Sequence, residues 1–100
     1  MLCEDGTVVE GCNVENASYG LSICAERVAL FSAVAQGRRP QSLAVSCIDA
    51  DADGPDAMRM PCGACRQVMQ ELLPDDAAIH VDGVGSNRLN DLLPKGFRLN

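Results

Sequence analysis

A chain of 100 residues, 47% hydrophobic and 22% charged, can bury one core and has the balance of a globular domain in water. A formal net charge of -6 and only three aromatics, Tyr19, Phe31 and Phe97, give neither a basic track nor stacking platforms, so a small molecule is expected as partner rather than nucleic acid. No apolar run approaches the roughly 20 residues of a membrane span, and Met1 to Gly6 lacks the basic and apolar regions of a secretory signal, so no membrane contact and a cytoplasmic location are expected.

The chain opens with Leu2-Cys3, a turn at Asp5-Gly6, and a second arm from about Thr7 to Asn13, the pattern of a β-hairpin. Its first arm is very short, which suggests a start inside an element. A polar stretch, Glu15 to Gly20, follows. From Ser22, a plausible N-cap, apolar residues recur at helical spacing (Ile23, Leu30, Phe31, Val34) as far as a stop at Gly37, with Pro40 beyond. Ser42 to Ile48 reads as a buried strand, and Asp49 to Met60 as a loop. A second helix is expected from Gly63 to about Leu73, ended by Pro74, then a strand from Ala77 to Val81. Asp82 to Asn87 carries too much Gly and Ser for an assignment, and Asn90 to Leu93 reads as a helical turn. Alternating strands and helices behind a hairpin predict an α/β fold with a mixed sheet and one domain over residues 1–100.

In a reducing compartment, clustered cysteines more often hold a metal than form disulfides. Cys24 falls at the head of the first helix, and Cys62 and Cys65 at the head of the second. Helix N-termini stabilise thiolates, the form that binds zinc. Three sulfurs leave a fourth position for water, the pattern of a catalytic zinc; a structural zinc and a redox dithiol are the other readings of this spacing. Cys3, Cys12 and Cys47, each among apolar neighbours, read as small core residues, and His80 as a core or interface histidine between Ile79 and Val81.

Cys24-Ala25-Glu26 followed by Pro61-Cys62-Gly63-Ala64-Cys65 has the form of the zinc deaminase signature. With Gly11-Cys12-Asn13-Val14-Glu15-Asn16-Ala17-Ser18-Tyr19-Gly20 before it, Arg66-Gln67-Val68 after it, and Leu92-Leu93-Pro94 with Phe97 at the end, nearly the whole chain resembles the small, homotetrameric cytidine deaminases that act on free nucleosides. The resemblance implies a three-layer α/β/α sandwich with helices on both faces of a mixed sheet. It implies one zinc per chain on Cys24, Cys62 and Cys65, with Glu26 as the catalytic proton shuttle that converts cytidine or deoxycytidine to uridine or deoxyuridine in pyrimidine salvage. Arg27 would bond the cysteine sulfurs, Asn13 and Glu15 would hold the sugar, and the Ala25 amide would meet the base. Ala17 and Tyr19 match positions that reach a neighbouring subunit's pocket, and Phe97 matches an aromatic near the pocket. Members of the family begin with a further helix of about twenty residues and a full first strand, with an aromatic that packs on the pyrimidine. Without that segment the chain is expected to be a weak enzyme. A zinc-stabilised scaffold and a related aminonucleoside deaminase are the alternatives.

Overall fold

The computed structural model describes residues 1–51 and 53–99. Four strands form one sheet in the order β1 (Leu2–Cys3), β2 (Pro40–Val45), β3 (Ala78–Val81) and β4 (Gly85–Arg88). β1 runs antiparallel to β2, β2 parallel to β3, and β4 antiparallel to β3. Helices α1 (Ala25–Ala35), α2 (Gly63–Leu72) and α3 (Leu89–Leu92) complete an α/β fold, as the alternating pattern implies.

The expected turn forms, with Gly6 at a φ of 85° that glycine adopts without steric cost. The hairpin itself is reduced to the Leu2↔Val8 bridge, and β1 spends its pairing on Pro40 and Ser42 instead. Beyond Val9 the second arm leaves the sheet and runs along α1. It passes so close that a Cβ on Gly11 would lie 2.5 Å from the Ala25 carbonyl oxygen and 2.6 Å from the Ala29 nitrogen. Only glycine fits there.

Ser22 is not the N-cap of α1; Cys24 is. The Ser22 hydroxyl is occupied in the preceding loop, where it accepts the Asn16 N–H at 2.9 Å. The helix stops where the sequence implies, with Gly37 at a φ of 72°. β2 begins at Pro40 and ends at Val45, short of the expected Ile48, which is 90% exposed. The loop expected from Asp49 to Met60 contains a single 3-10 turn at Asp56–Met58; Ala52 lies outside the described residues. β4 occupies the stretch left unassigned. The turn into it holds Gly83 (φ 85°), and the strand opens at Gly85 (φ 124°).

The larger of two buried clusters joins the three helices to one face of the sheet. Leu30 of α1, Cys65 and Met69 of α2, Leu89 of α3, and Leu43, Ile79 and Val81 of the sheet pack together, nearly all fully buried. Burying a side chain of this size is worth roughly 1.5–3 kcal/mol. Strand alternation turns Ala44, Ala78 and His80 to the opposite, solvent-exposed side of the sheet. His80 is therefore not a core residue; its Nδ1 lies 3.0 Å from the Ser86 hydroxyl. Cys3 is buried as expected, but Cys12 and Cys47 are exposed, because both follow segments that have already left the packed layers.

Candidate active site

The two longer helices start side by side, and a cysteine is the N-cap of each: Cys24 for α1 and Cys62 for α2. Cys65, one turn into α2, is fully buried. The Cys24 and Cys62 sulfurs are 3.9 Å apart, those of Cys62 and Cys65 are 3.4 Å apart, and all three lie within 4.8 Å of one another. Tetrahedral zinc–thiolate bonds of about 2.3 Å place sulfurs about 3.8 Å apart. The donor set therefore fits zinc in both number and spacing, with one position left open. His80, on the far side of the sheet, is outside the cluster.

The cluster is electrostatically prepared. Burial acts to raise the Cys62 thiol, but the backbone amides of Cys65 and Ala64 and the neighbouring sulfurs outweigh it and hold Cys62 below the ordinary thiol range. Burial, then contact with Cys62 and with the Glu26 carboxylate, pushes the Cys65 thiol well up in the metal-free chain. Arg27 donates to the Cys24 sulfur at 3.5 Å, and that bond raises the guanidinium above its usual value. Its Nε is buried with no hydrogen-bond partner, a group that an anionic sulfur cluster offsets by charge.

Glu26, only 8% exposed, stands beside Cys65 and lines a cleft of about 520 Å³ with Cys24, Cys62 and Asn13. The Asn13 amide oxygen accepts the N–H of Ala25 at 2.8 Å. The structure thus brings together Cys24, Ala25, Glu26, Arg27, Cys62, Cys65 and Asn13. It does not bring Glu15, Ala17, Tyr19 or Phe97 to this cleft. Glu15 and Ala17 are exposed on the loop, Tyr19 is 90% exposed, and Phe97 is 72% exposed with its carbonyl bonded to Gln67. Ser46, Asp49 and Arg59, and Cys47, which the sequence placed in the core, line the cleft without having been expected there. The signal for Ser46 and Cys47 was their place just past the carboxyl end of β2, where open α/β sheets bind ligands.

A model of the cytidine and deoxycytidylate deaminase zinc-binding region matches residues 1–81. A cytidine deaminase from Halalkalibacterium halodurans is 44% identical over 97% of this chain and 73% of its own length. One from Mycobacterium tuberculosis is 45% identical over 98% of this chain and 69% of its own. The crystal structure of cytidine deaminase from Burkholderia pseudomallei superposes with a TM-score of 0.81 at 47% identity, over 96% of this chain and 76% of that one. The chain belongs to the zinc-binding cytidine and deoxycytidylate deaminase family. It is an enzyme, and zinc is its cofactor.

Proposed function

We propose that this chain, as one catalytic domain, removes the exocyclic amine of free cytidine or deoxycytidine by hydrolysis, releasing ammonia and leaving the corresponding uridine. The observation that carries the reading is the three-sulfur cluster at the heads of two helices with the buried Glu26 carboxylate beside it in a cleft. Cys24, Cys62 and Cys65 would hold the zinc, whose chemistry when bound would be the Lewis acidity that makes water a nucleophile near neutral pH. Glu26 takes the proton of the attacking water and passes it to the ring nitrogen next to the reacting carbon. A second proton through the same carboxylate lets ammonia leave. Three thiolates around a divalent cation leave one net negative charge, which Arg27 and the two helix N-termini offset. In this reading Asn13 faces the sugar through its NH2 end, since its oxygen holds the Ala25 N–H, and Glu15, exposed outside the cleft, reaches the sugar by an inward movement of its loop.

The working form in this reading is a homotetramer in the cytoplasm, serving pyrimidine salvage. Six free cysteines suit a reducing compartment, and among the described residues no helix is long and apolar enough to cross a membrane. Ala17 and Tyr19, which do not line this chain's own cleft, would serve a neighbouring subunit. The deciding experiment measures ammonia release from cytidine, with single-stranded DNA and RNA as controls, and zinc content and light scattering on the same sample. Zinc uptake without ammonia release from the nucleoside would refute the assigned reaction. A fully active monomer would refute the tetramer.

A further inference from the structure

Of the three clustered cysteines, Cys65 is held by the core and Cys24 is half-buried, but Cys62 is exposed. Packing does not fix it, and something else must. Arg66 grips both carbonyls that flank it. Its backbone N–H donates to the Cys62 carbonyl at 3.0 Å, as the first helical bond of α2, and its Nε donates to the Pro61 carbonyl at 2.9 Å. The proline ring already fixes φ of Pro61, so the bond to the Pro61 carbonyl constrains its remaining backbone rotation. That rotation sets the direction of the peptide entering Cys62. The other arm of the guanidinium donates to the Leu92 carbonyl at 2.9 Å, at the last turn of α3, where helical carbonyls lack internal partners. These bonds go to carbonyl oxygens rather than to sulfur, so Arg66 differs in kind from Arg27.

We propose that Arg66 is a positioning residue for the metal centre: it fixes the Pro61–Cys62 peptide and ties it to the end of α3, so that the hold on zinc depends on a segment outside the cleft. The proposal rests on Cys62 being a zinc ligand. A planar fork can bond two carbonyls at once; a lysine ammonium is a single point donor. Groups that orient a ligand from outside typically contribute about 10- to 100-fold to metal affinity.

The test is zinc competition against a chromophoric chelator, with the full chain, Arg66→Ala, Arg66→Lys and Gln67→Ala. Gln67→Ala removes a neighbouring tether, the 2.8 Å bond from its side chain to the Phe97 carbonyl, without touching the Pro61–Cys62 peptide. Arg66→Ala is expected to bind zinc about 10- to 100-fold more weakly, Arg66→Lys to fall between it and the parent, and Gln67→Ala to match the parent. Parent-like affinity in folded Arg66→Ala overturns the proposal, as does equal weakening in Gln67→Ala. Should Arg66→Ala fail to fold, Arg66→Lys decides, and parent affinity there overturns it. A parent chain that takes up no zinc overturns the ligand assignment and the proposal with it.

Discussion

Asn13 and Ala25, twelve residues apart, are joined by a 2.8 Å hydrogen bond from the Ala25 N–H to the Asn13 side-chain oxygen. The bond supplies what the N-cap of α1 does not, since the Cys24 side chain makes no capping bond to the helix. It also settles the orientation of the amide: the oxygen end is engaged, so the NH2 end is the one left for the cleft. Asn13→Asp keeps an acceptor at the helix head, where negative charge is favoured, but has no donor. Asn13→Ala has neither. Thermal unfolding should show Asn13→Ala destabilised by about 0.5–2 kcal/mol, the usual range for losing a cap, and Asn13→Asp close to the parent. Cytidine kinetics should show KM raised in both. Equal melting of the two variants would remove the capping role.

Glu26→Gln preserves the size of a buried side chain and removes its ability to carry a proton. Zinc content and unfolding are expected to stay near the parent, while turnover drops on the order of 10²-fold or more. Retention of most of the parental rate would show that protons travel by another route.

The cysteines should differ when changed to serine. Cys62→Ser and Cys65→Ser each remove one of the three sulfur ligands and should both lose zinc, and with it the stability that binding adds. Compared without metal, however, Cys65→Ser places a hydroxyl at a fully buried position in the core, and Cys62→Ser places one at the surface. Urea unfolding of the metal-free chains should find Cys65→Ser less stable by about 1–3 kcal/mol. Equal stabilities would mean that the Glu26 carboxylate or the Cys62 sulfur, both already in contact with Cys65, takes up the hydroxyl as a hydrogen-bond partner.

Acid should loosen the first turn. The Thr7 backbone and hydroxyl, then the Arg38 guanidinium, outweigh burial and hold the Asp5 carboxyl below its ordinary value. A carboxylate with a depressed folded pKa stabilises above its unfolded value, near about 3.9, and that stabilisation fades as pH falls through the folded value. Asp5→Asn should therefore be less stable than the parent near pH 6, and the gap should close below the folded pKa. Urea midpoints of both metal-free chains across this range give the answer; a gap independent of pH would assign the loss to something other than charge.

The metal cluster was legible because few other arrangements explain Cys24-Ala25-Glu26 with Pro61-Cys62-Gly63-Ala64-Cys65, and the end of α2 because Pro74 stops it. The misread positions have separate causes. Capping preferences rank serine above cysteine, so Ser22 outscored Cys24, whose side chain serves the cluster instead of the helix. The tendency of free cysteine to be buried misplaced Cys12 and Cys47, which sit past the ends of packed segments in the wall of the cleft. Gly-Ser-Asn-Arg showed no strand pattern because β4 is an edge, with one neighbour and little to bury. The roles expected of Ala17 and Tyr19 involve a neighbouring subunit, a relationship that neither local propensity nor a single chain's packing expresses.

Gly11 carries no side chain, yet its place against α1 governs the distance between two walls of the cleft. Asn13, two residues on, takes its position from that contact, and so does its grip on the helix head that bears Glu26. An added methyl group at Gly11 would have to displace either its own segment or the helix, and either movement would shift Asn13 relative to Glu26. The width of the site is thus set by an atom that is missing, and a residue with no chemistry of its own should behave, when replaced, like one that belongs to the reaction.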